Sequence, residues 1–314
     1  GELEQWEFLK GIMTMFNLVS LPDEDNPNNI KFETYADVFH TDTSSGDTSD
    51  LTLASRSIQH DWTDKIDVSE MKLTPLTDLN KNTIFKFVED DDDFCFTEYK
   101  RQVGGHLYGS QLYDASIASN GLATVLQGTK EIIAEPFAAT IVKPLMEQYP
   151  QLITPAIYAS SDNETEGFKN SPRILYNNGI KDSAITYYIP AQSGLNSENQ
   201  ENYLQFSHLT HIPTVVTDPS TSTDTDDFHF GECQLVNGLG NSTPRNLYNL
   251  YWSPYYNELY NPDTRIMTIK VNLNAADINR FKFNDTVMIK NREFRVNKID
   301  YKPNDLATVE FILI

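Results

Sequence analysis

Histidine residues come closest, by type and spacing, to forming a site with chemistry. His208 and His211 lie three residues apart, and His229 and Glu232 follow them. Such a set of imidazoles with a carboxylate could complete a tetrahedral zinc site. The spacing matches no zinc-protease signature, and Pro213 disfavours the helix that would align the first pair. The pattern therefore favours paired or exposed histidines, and we predict no metal site.

Two acidic runs are also candidate metal sites, because hard cations prefer oxygen ligands. One is the run 90–93, and the other comprises Asp224, Asp226 and Asp227. Adjacent carboxylates do not converge on one point as the alternating ligands of a calcium loop do. The second group lacks the glycine and the distal glutamate that complete such a loop. Both runs, and the polar stretch 41–50, are therefore interpreted as exposed loops.

Signatures of catalysis are missing from the sequence. The Gly-rich stretch 103–113 has neither the spacing of a dinucleotide loop nor the Lys-Ser/Thr of a phosphate loop. Its glycines are expected to serve a turn or a close backbone contact. No serine lies in a nucleophile elbow, and nothing selects an acid–base pair among 45 carboxylates. We predict no catalytic residue, no cofactor and no enzymatic activity.

The balance of charge disfavours two classes of partner. The 314 residues contain 45 Asp and Glu against 24 Lys and Arg, a net charge of −21. Such a chain repels the phosphates of nucleic acid and an anionic membrane surface. No apolar run approaches the roughly 20 residues of a transmembrane helix. We expect no specific nucleic acid and no membrane among its partners.

Two cysteines, Cys95 and Cys233, are too few for a disulfide framework. A single long-range bridge between them is one alternative. Two buried, unbridged thiols are the prediction, because disulfides are confined to oxidising compartments.

One long helix is predicted at the start of the chain, over residues 3–19. Its apolar positions follow helical steps of three and four at Leu3, Trp6, Leu9, Met13 and Phe16. The pattern indicates an amphipathic helix that faces the core. Its polar face carries mainly Glu, whereas a membrane-surface helix needs Lys and Arg. Because the sequence opens Gly-Glu-Leu without Met, we also expect that the N-terminus was processed or that the chain was once longer.

The clearest strand pattern lies in residues 265–314. Alternate positions from Met267 to Leu273 are apolar, as in a half-buried strand. Asn274 is a good N-cap for one or two helical turns. Three further strands are predicted, at 286–289, 294–299 and 307–313. Four short strands of this kind predict a small antiparallel barrel or sheet.

A hairpin is predicted in the middle of the chain. The strand-like run 173–176 is followed by Asn-Asn-Gly at 177–179. Asn-Gly supplies the positive φ of a tight turn, and 185–189 would be the returning strand.

Aromatic residues crowd the stretch just before the C-terminal strands. They are Tyr248, Tyr251, Trp252, Tyr255, Tyr256 and Tyr260. Aromatics dominate core burial, so a packed collar beneath those strands is one interpretation. The functional alternatives are a subunit interface and a platform that stacks on glycans, of which the interface is favoured.

Residues 251–301 resemble a segment of structural proteins from tailed bacteriophages. The run reads YWSPYYNELYNPDTRIMTIKVNLNAADINRFKFNDTVMIKNREFRVNKIDY. Three upstream patches, FLKGIMTMFNL, DWTDKIDVS and SPRILYNNG, are also similar to such proteins. None of these patches is a catalytic signature, and the resemblance assigns no catalytic residue.

This resemblance implies a virion structural protein, most like a tail hub or tip protein of the baseplate type. Such a scaffold is made in the host cytoplasm, forms a ring with copies of itself and binds other tail proteins. One alternative is a receptor- or carbohydrate-binding β module of the virion, with calcium in the acidic loops 41–50 and 218–227. A tail-borne cell-wall hydrolase is a third reading, which no motif supports.

Together these patterns predict an α+β, β-rich protein with several small antiparallel sheets or barrels and one long N-terminal amphipathic helix. Three modules are expected. Residues 1–80 would hold the helix and a strand, 81–246 a central β-rich domain with long polar loops, and 247–314 a small barrel with a short helix.

Overall fold

The structure is a computed structural model that describes most of the chain. The described residues are 3–23, 26, 28–39, 57–75, 79–118, 126–146, 149–155, 170–189, 198–210, 225–233, 243–303 and 305–313. His211, Asp224 and the loop 41–50 lie outside these ranges.

The chain divides into two compact units. Unit 1 comprises Gly1–Phe16, Ile84–Leu112 and Glu131–Leu250. Unit 2 comprises Asn17–Thr83, Tyr113–Lys130 and Tyr251–Ile314. Each unit is therefore assembled from separate stretches of sequence. The expected division into modules at 80/81 and 246/247 stays a prediction.

Strands make up the larger part of the regular structure. They are β1 (Leu18–Pro22), β2 (Ile30–Thr34), β3 (Gln59–Asp61), β4 (Ile66–Pro75), β5 (Asn82–Val88), β6 (Gln111–Asp114), β7 (Thr129–Ala138), β8 (Val142–Met146), β9 (Tyr149–Pro155), β10 (Tyr176–Ile189), β11 (Glu198–Ser207), β12 (Asp226–Asp227), β13 (Arg245–Asn246), β14 (Arg265–Val271), β15 (Thr286–Ile289), β16 (Arg292–Asp300) and β17 (Ala307–Leu313). The helices are α1 (Gln5–Met15), α2 (Tyr35–Phe39), α3 (Phe94–Gln102), α4 (Ala115–Ala118), α5 (Ser253–Leu259) and α6 (Ala275–Arg280). A 3-10 turn spans Thr63–Lys65, and a π-helical turn spans Tyr248–Trp252. Within the described ranges, no helix is both long and apolar enough to cross a membrane.

Small sheets organise these strands. The largest, in unit 2, has the order β3-β15-β16-β17-β14-β4. The others are β6-β5-β7 and the pairs β1-β2, β8-β9, β10-β11 and β12-β13. The predicted strand-rich mixture with several small sheets is confirmed.

Of the two alternatives predicted for the C-terminal strands, the sheet is confirmed and the barrel is wrong, because the described part of the chain contains no closed barrel. The four C-terminal strands instead form the middle of an open sheet, because β3 and β4 occupy its two edges. The antiparallel pairing predicted among these four strands is confirmed, and the added strand β3 runs parallel to β15. The predicted hairpin turn at 177–179 is also replaced, by a register shift inside the continuous strand β10.

The core of unit 2 lies on one face of the six-stranded sheet. The alternation predicted for β14 is confirmed, because Met267, Ile269 and Val271 are buried there. Trp62 packs on the same face, with its ring 6.0 Å from that of Phe311. The remaining buried members are Leu273, Val287, Ile289, Phe294, Val296, Ala307 and Val309. Burying side chains of this size stabilises the fold by about 1.5–3 kcal/mol each.

The cap predicted at Asn274 is confirmed. Its side chain accepts a hydrogen bond from the Asp277 amide at 2.9 Å, and the Asp277 carboxylate accepts one from the Asn274 amide at 3.0 Å. This reciprocal capping box satisfies two amides at the start of α6 that have no partner within the helix.

Helix α1 is shorter than predicted, and it buries a different face. It ends at Met15 because Asn17 adopts a positive φ of 48° and β1 begins at Leu18. Trp6 at the predicted core stripe is 61% exposed. Gly11 is buried instead, where an added Cβ would lie 2.2 Å from the Glu135 carbonyl oxygen. The missing side chain therefore allows close approach of α1 to β7.

An ion pair between buried Arg295 and half-buried Glu258 joins α2, α5 and β16 in unit 2. The Arg295 guanidinium donates from Nη1 to both carboxylate oxygens of Glu258, at 2.7 and 2.6 Å. It also donates to the Tyr35 hydroxyl at 2.6 Å and lies 4.5 Å from the centre of the Phe39 ring. Burial raises the pKa of Tyr35, so its hydroxyl stays neutral.

Replacing Arg295 with Met should therefore leave the half-buried Glu258 carboxylate without its cation. We expect the free energy of unfolding to fall by roughly 3–5 kcal/mol, as measured by urea denaturation. Lys298→Met on the same strand is the control, because its ion pair with Asp300 is exposed and should contribute little. Equal effects of the two substitutions would contradict this account of Arg295.

Candidate metal centre

Four polar side chains of unit 1 meet in its interior. They are His208, Asp227, His229 and Cys233, and one ligand-type atom from each lies within 4.8 Å of those of the others. All four residues are buried, with exposed fractions of 2–6%. The group combines two imidazoles, a carboxylate and a thiol.

Short backbone contacts bring the segments together. The Phe228 amide donates to the His208 carbonyl at 2.8 Å, and Leu209 forms a bridge with Asp227. The Leu247 amide donates to the His229 carbonyl at 3.0 Å. These contacts fix the end of β11 against the segment that carries the other three side chains.

Gly109 sets how closely the chain approaches His229. It has a φ of +74°, and a Cβ added to it would lie 2.5 Å from the His229 ring. The expected role of the Gly-rich stretch 103–113, a turn or a close contact, is thereby confirmed. Gly105, with a φ of +98° and open space around it, serves the turn.

Asp227 is the centre of the group. Its Oδ1 accepts hydrogen bonds from His208 Nδ1 at 2.8 Å, His229 Nδ1 at 3.2 Å and the His229 amide at 2.9 Å. Its Oδ2 accepts from Thr243 Oγ1 at 3.3 Å and from Cys233 Sγ at 3.8 Å. Burial acts to raise the pKa of the carboxyl, but the two histidines outweigh it and hold that pKa well below its usual range.

The second ring nitrogen of His229 also forms a hydrogen bond. Its Nε2 accepts a hydrogen bond from the Thr140 amide at 3.2 Å, which places the ring proton on Nδ1, facing Asp227. Burial lowers the pKa of His229 to about 4, and the nearby His208 adds to this effect. The imidazole is therefore neutral at pH 7.

Cys233 is unsuited to nucleophilic chemistry in this setting. Burial raises the pKa of its thiol well above the usual value, and the charge of Asp227 adds to the shift. Burial likewise raises the pKa of the neighbouring Tyr108 hydroxyl. Since the thiolate is the reactive form, a buried thiol of this kind is inert unless a metal ion displaces its proton.

The donor set matches the preferences of zinc, which binds imidazole nitrogen, thiolate sulfur and carboxylate oxygen. Coordination through His229 Nδ1 would move the ring proton to Nε2 and break the bond from Thr140. This leaves the buried Thr140 amide facing the new Nε2–H without an acceptor, which costs about 1–3 kcal/mol. Structural zinc binding is worth about 10–16 kcal/mol, so the loss does not prevent it.

The structure brings some of the sequence candidates together and not others. His208 and His229 are paired, with ring centroids 4.3 Å apart. Asp227, from the expected acidic loop, is buried beside them, whereas Glu232 lies outside the group of four. The spacing of Asp227, His229 and Cys233 was a signal that sequence reasoning missed. Cys95 and Cys233 are both buried and unbridged, as predicted.

The acidic run 90–93 is only partly the exposed loop that was expected. Asp91 and Asp92 are exposed, but Asp90 and Asp93 are buried. Both buried carboxylates accept hydrogen bonds from Arg173 Nη2, at 2.8 and 3.0 Å. Their partner is therefore a guanidinium more than 70 residues away in the sequence, which the local pattern could not indicate.

None of the candidate interface aromatics is fully exposed. Tyr248, Tyr256 and Tyr260 are buried, whereas Tyr251, Trp252 and Tyr255 are half-buried. In unit 2, the Tyr256 hydroxyl donates to Thr83 at 3.2 Å and the Tyr260 hydroxyl to the Asn80 carbonyl at 2.7 Å. The buried members thus pack in the cores of their own units, and an interface role for the half-buried ones stays a prediction.

Comparison with known proteins assigns no family to this geometry. No protein-family model matches the chain, and no curated protein matches it.

The contact between Gly109 and His229 can be tested with two glycine substitutions. Gly105→Ala should cost about 1–2 kcal/mol, because alanine is strained at positive φ. Gly109→Ala carries the same strain and must also displace the His229 ring, which adds roughly 1–3 kcal/mol. Urea denaturation measures both, and NMR signals of His229 should shift in the second variant only. Equal losses of stability would contradict the close approach.

Proposed function

We propose that this chain is a structural component of a bacteriophage tail, a hub, tip or baseplate-type scaffold. In this proposal it assembles into a ring with copies of itself and with other virion proteins. Two features support it. One is the resemblance of residues 251–301 to phage tail proteins, and the other is β4, an edge strand among the described residues of the large sheet in unit 2, which has exposed apolar side chains.

That edge is the observation on which the proposal chiefly rests. On strand β4, Val68, Met71 and Leu73 are 57%, 53% and 56% exposed. Isolated proteins usually protect a free edge with charges, prolines or bulges, because unpaired strands recruit other strands. Strand β4 has some of this protection, because it contains Asp67, Glu70 and Lys72, ends at Pro75 and has an irregularity between its pairing with Thr268 and with Lys270. The large apolar side chains nevertheless favour a second chain as the covering partner.

A second copy of this chain is the partner that the sheet order favours. Strands β3 and β4 lie at opposite edges of one sheet, and Ile58 beside β3 is 57% exposed. Contact between the β4 edge of one copy and the β3 edge of the next is heterologous, because different surfaces meet. Such contacts generate rings when the rotation closes.

The net charge of −21 suits a protein that surrounds a path for DNA. An acidic wall repels the phosphates and keeps the polyanion from adhering. In the proposed ring, the negative charge of the wall would let DNA pass, and the apolar side chains at the sheet edges would hold neighbouring copies together.

Scaffolding is favoured over the receptor- or carbohydrate-binding alternative. Glycan stacking requires exposed aromatic faces, and the aromatic residues 248–260 are buried or half-buried. These side chains are placed to pack inside the units and not to stack on a glycan.

Light scattering and negative-stain imaging of the purified chain test the proposal. We expect closed rings, and we expect Met71→Lys combined with Leu73→Lys to yield monomers by placing charges on the apolar edge. Leu306→Lys, which adds a lysine elsewhere in unit 2, is the matched control and should leave the rings intact. Rings that survive the double substitution would eliminate the β4 edge as the interface.

A parent chain that remains monomeric both alone and with candidate tail partners would count against the scaffold. In that case, binding to a glycan array that is abolished by chelation of calcium would establish the receptor-binding alternative.

A further inference from the structure

We propose that His208, Asp227, His229 and Cys233 together bind one structural zinc ion. This inference concerns unit 1 alone and does not depend on the role proposed for the chain. It rests on the donor atoms, their separations and their enclosure.

The separations are close to those of a tetrahedral site. Zinc bonds of about 2.0–2.3 Å place neighbouring ligand atoms about 3.3–3.6 Å apart. Here Asp227 Oδ1 lies 2.8 Å from His208 Nδ1 and 3.2 Å from His229 Nδ1. Cys233 Sγ lies 3.8 Å from the other carboxylate oxygen, Asp227 Oδ2, and the four ligand atoms as a set lie within 4.8 Å of one another. To admit the ion, His208 Nδ1 must move away from the carboxylate by about 0.5 Å and the longest separation must shorten by up to about 1 Å. The ion then takes the place of hydrogens that now point at Asp227.

Charge balance favours the ion in this interior. Zinc carries two positive charges, and the Asp227 carboxylate and the Cys233 thiolate carry one negative charge each. With two neutral imidazoles the filled site is neutral overall. Binding releases one proton, from the Cys233 thiol, while the Nδ1 protons of His208 and His229 both move to the Nε2 atoms of their rings. No electron transfer is involved.

The enclosure of the site indicates a structural and not a catalytic ion. A catalytic zinc keeps an open position for water, whereas a structural zinc is held by four protein ligands. All four candidates are 6% exposed or less. The Thr243 hydroxyl, 3.3 Å from Asp227 Oδ2, is placed to orient the carboxylate from outside the ligand set.

The competing account is a metal-free hydrogen-bonded cluster centred on Asp227. In that account the chain folds fully without metal, and chelation changes nothing. The two accounts differ in metal content, in spectrum and in the response of stability to zinc.

Metal analysis of the full chain, purified without added chelator, is the first measurement. We expect about one zinc per chain, a lower melting temperature after removal of zinc by a strong chelator, and recovery when zinc alone is returned. Cys233→Ser and His208→Gln should each weaken zinc binding at least about 10–100-fold, the loss typical for residues that only support a ligand. Cys95→Ser, at the other buried cysteine, should bind zinc as the parent does.

If the Cys233 variant fails to fold, cobalt bound to the unsubstituted chain can be used to test the site instead. Cobalt in the site should give a thiolate-to-metal charge-transfer band, and zinc should displace it. A parent chain that contains no zinc, takes up none and melts at the same temperature with or without it would overturn the proposal. A cobalt band that is lost in Cys95→Ser but kept in Cys233→Ser would overturn it as well.

Discussion

The need to satisfy a buried carboxylate is the constraint on which the interior of unit 1 depends. Asp227 is 2% exposed, and an isolated ionised group at that depth would cost several kcal/mol. Donors therefore come from His208, His229, Thr243 and Cys233. Satisfying one charge thus fixes the relative positions of segments that the sequence keeps well apart.

Unit 2 meets the same requirement with an ion pair. Arg295 on β16 is enclosed by Glu258 of α5 and by Tyr35 of α2. The large sheet supplies a hydrophobic face that stabilises this unit by burial. The ion pair additionally fixes where α2 and α5 lie against β16. Unit 1 has no sheet of that size among its described residues, and its polar cluster packs against the buried rings of Phe87 and Tyr108.

Local patterns in the sequence were sufficient to predict part of this fold. Alternation identified β14 and β17, and the N-cap at Asn274 has a purely local cause. The edge strands were not predictable, because pairing of β3 with β15 joins residues more than 200 positions apart. The end of α1 depended on a single positive φ at Asn17, and asparagine only permits that conformation without requiring it.

The sequence likewise predicted only part of the candidate site. The histidines attracted notice through their spacing, whereas Asp227 looked like part of an exposed acidic loop. Its burial depends on donors supplied from both sides in the sequence, and no local composition encodes that. Asp90 and Asp93 illustrate the same difficulty, since Arg173 neutralises them from a distant segment. An acidic run thus looks solvated until its distant partner is known.

The shortness of the strands around Asp227 explains why a polar centre is needed there. Strands β12 and β13 contain two residues each and pair only through Asp226–Arg245 and Asp227–Asn246. Two-stranded pairs are marginal by themselves, even when they are longer than these. Side-chain bonds to Asp227 must therefore supply much of the local order. A zinc ion held by the same residues would increase that order without any longer strand, as metals do in small domains with little hydrophobic core.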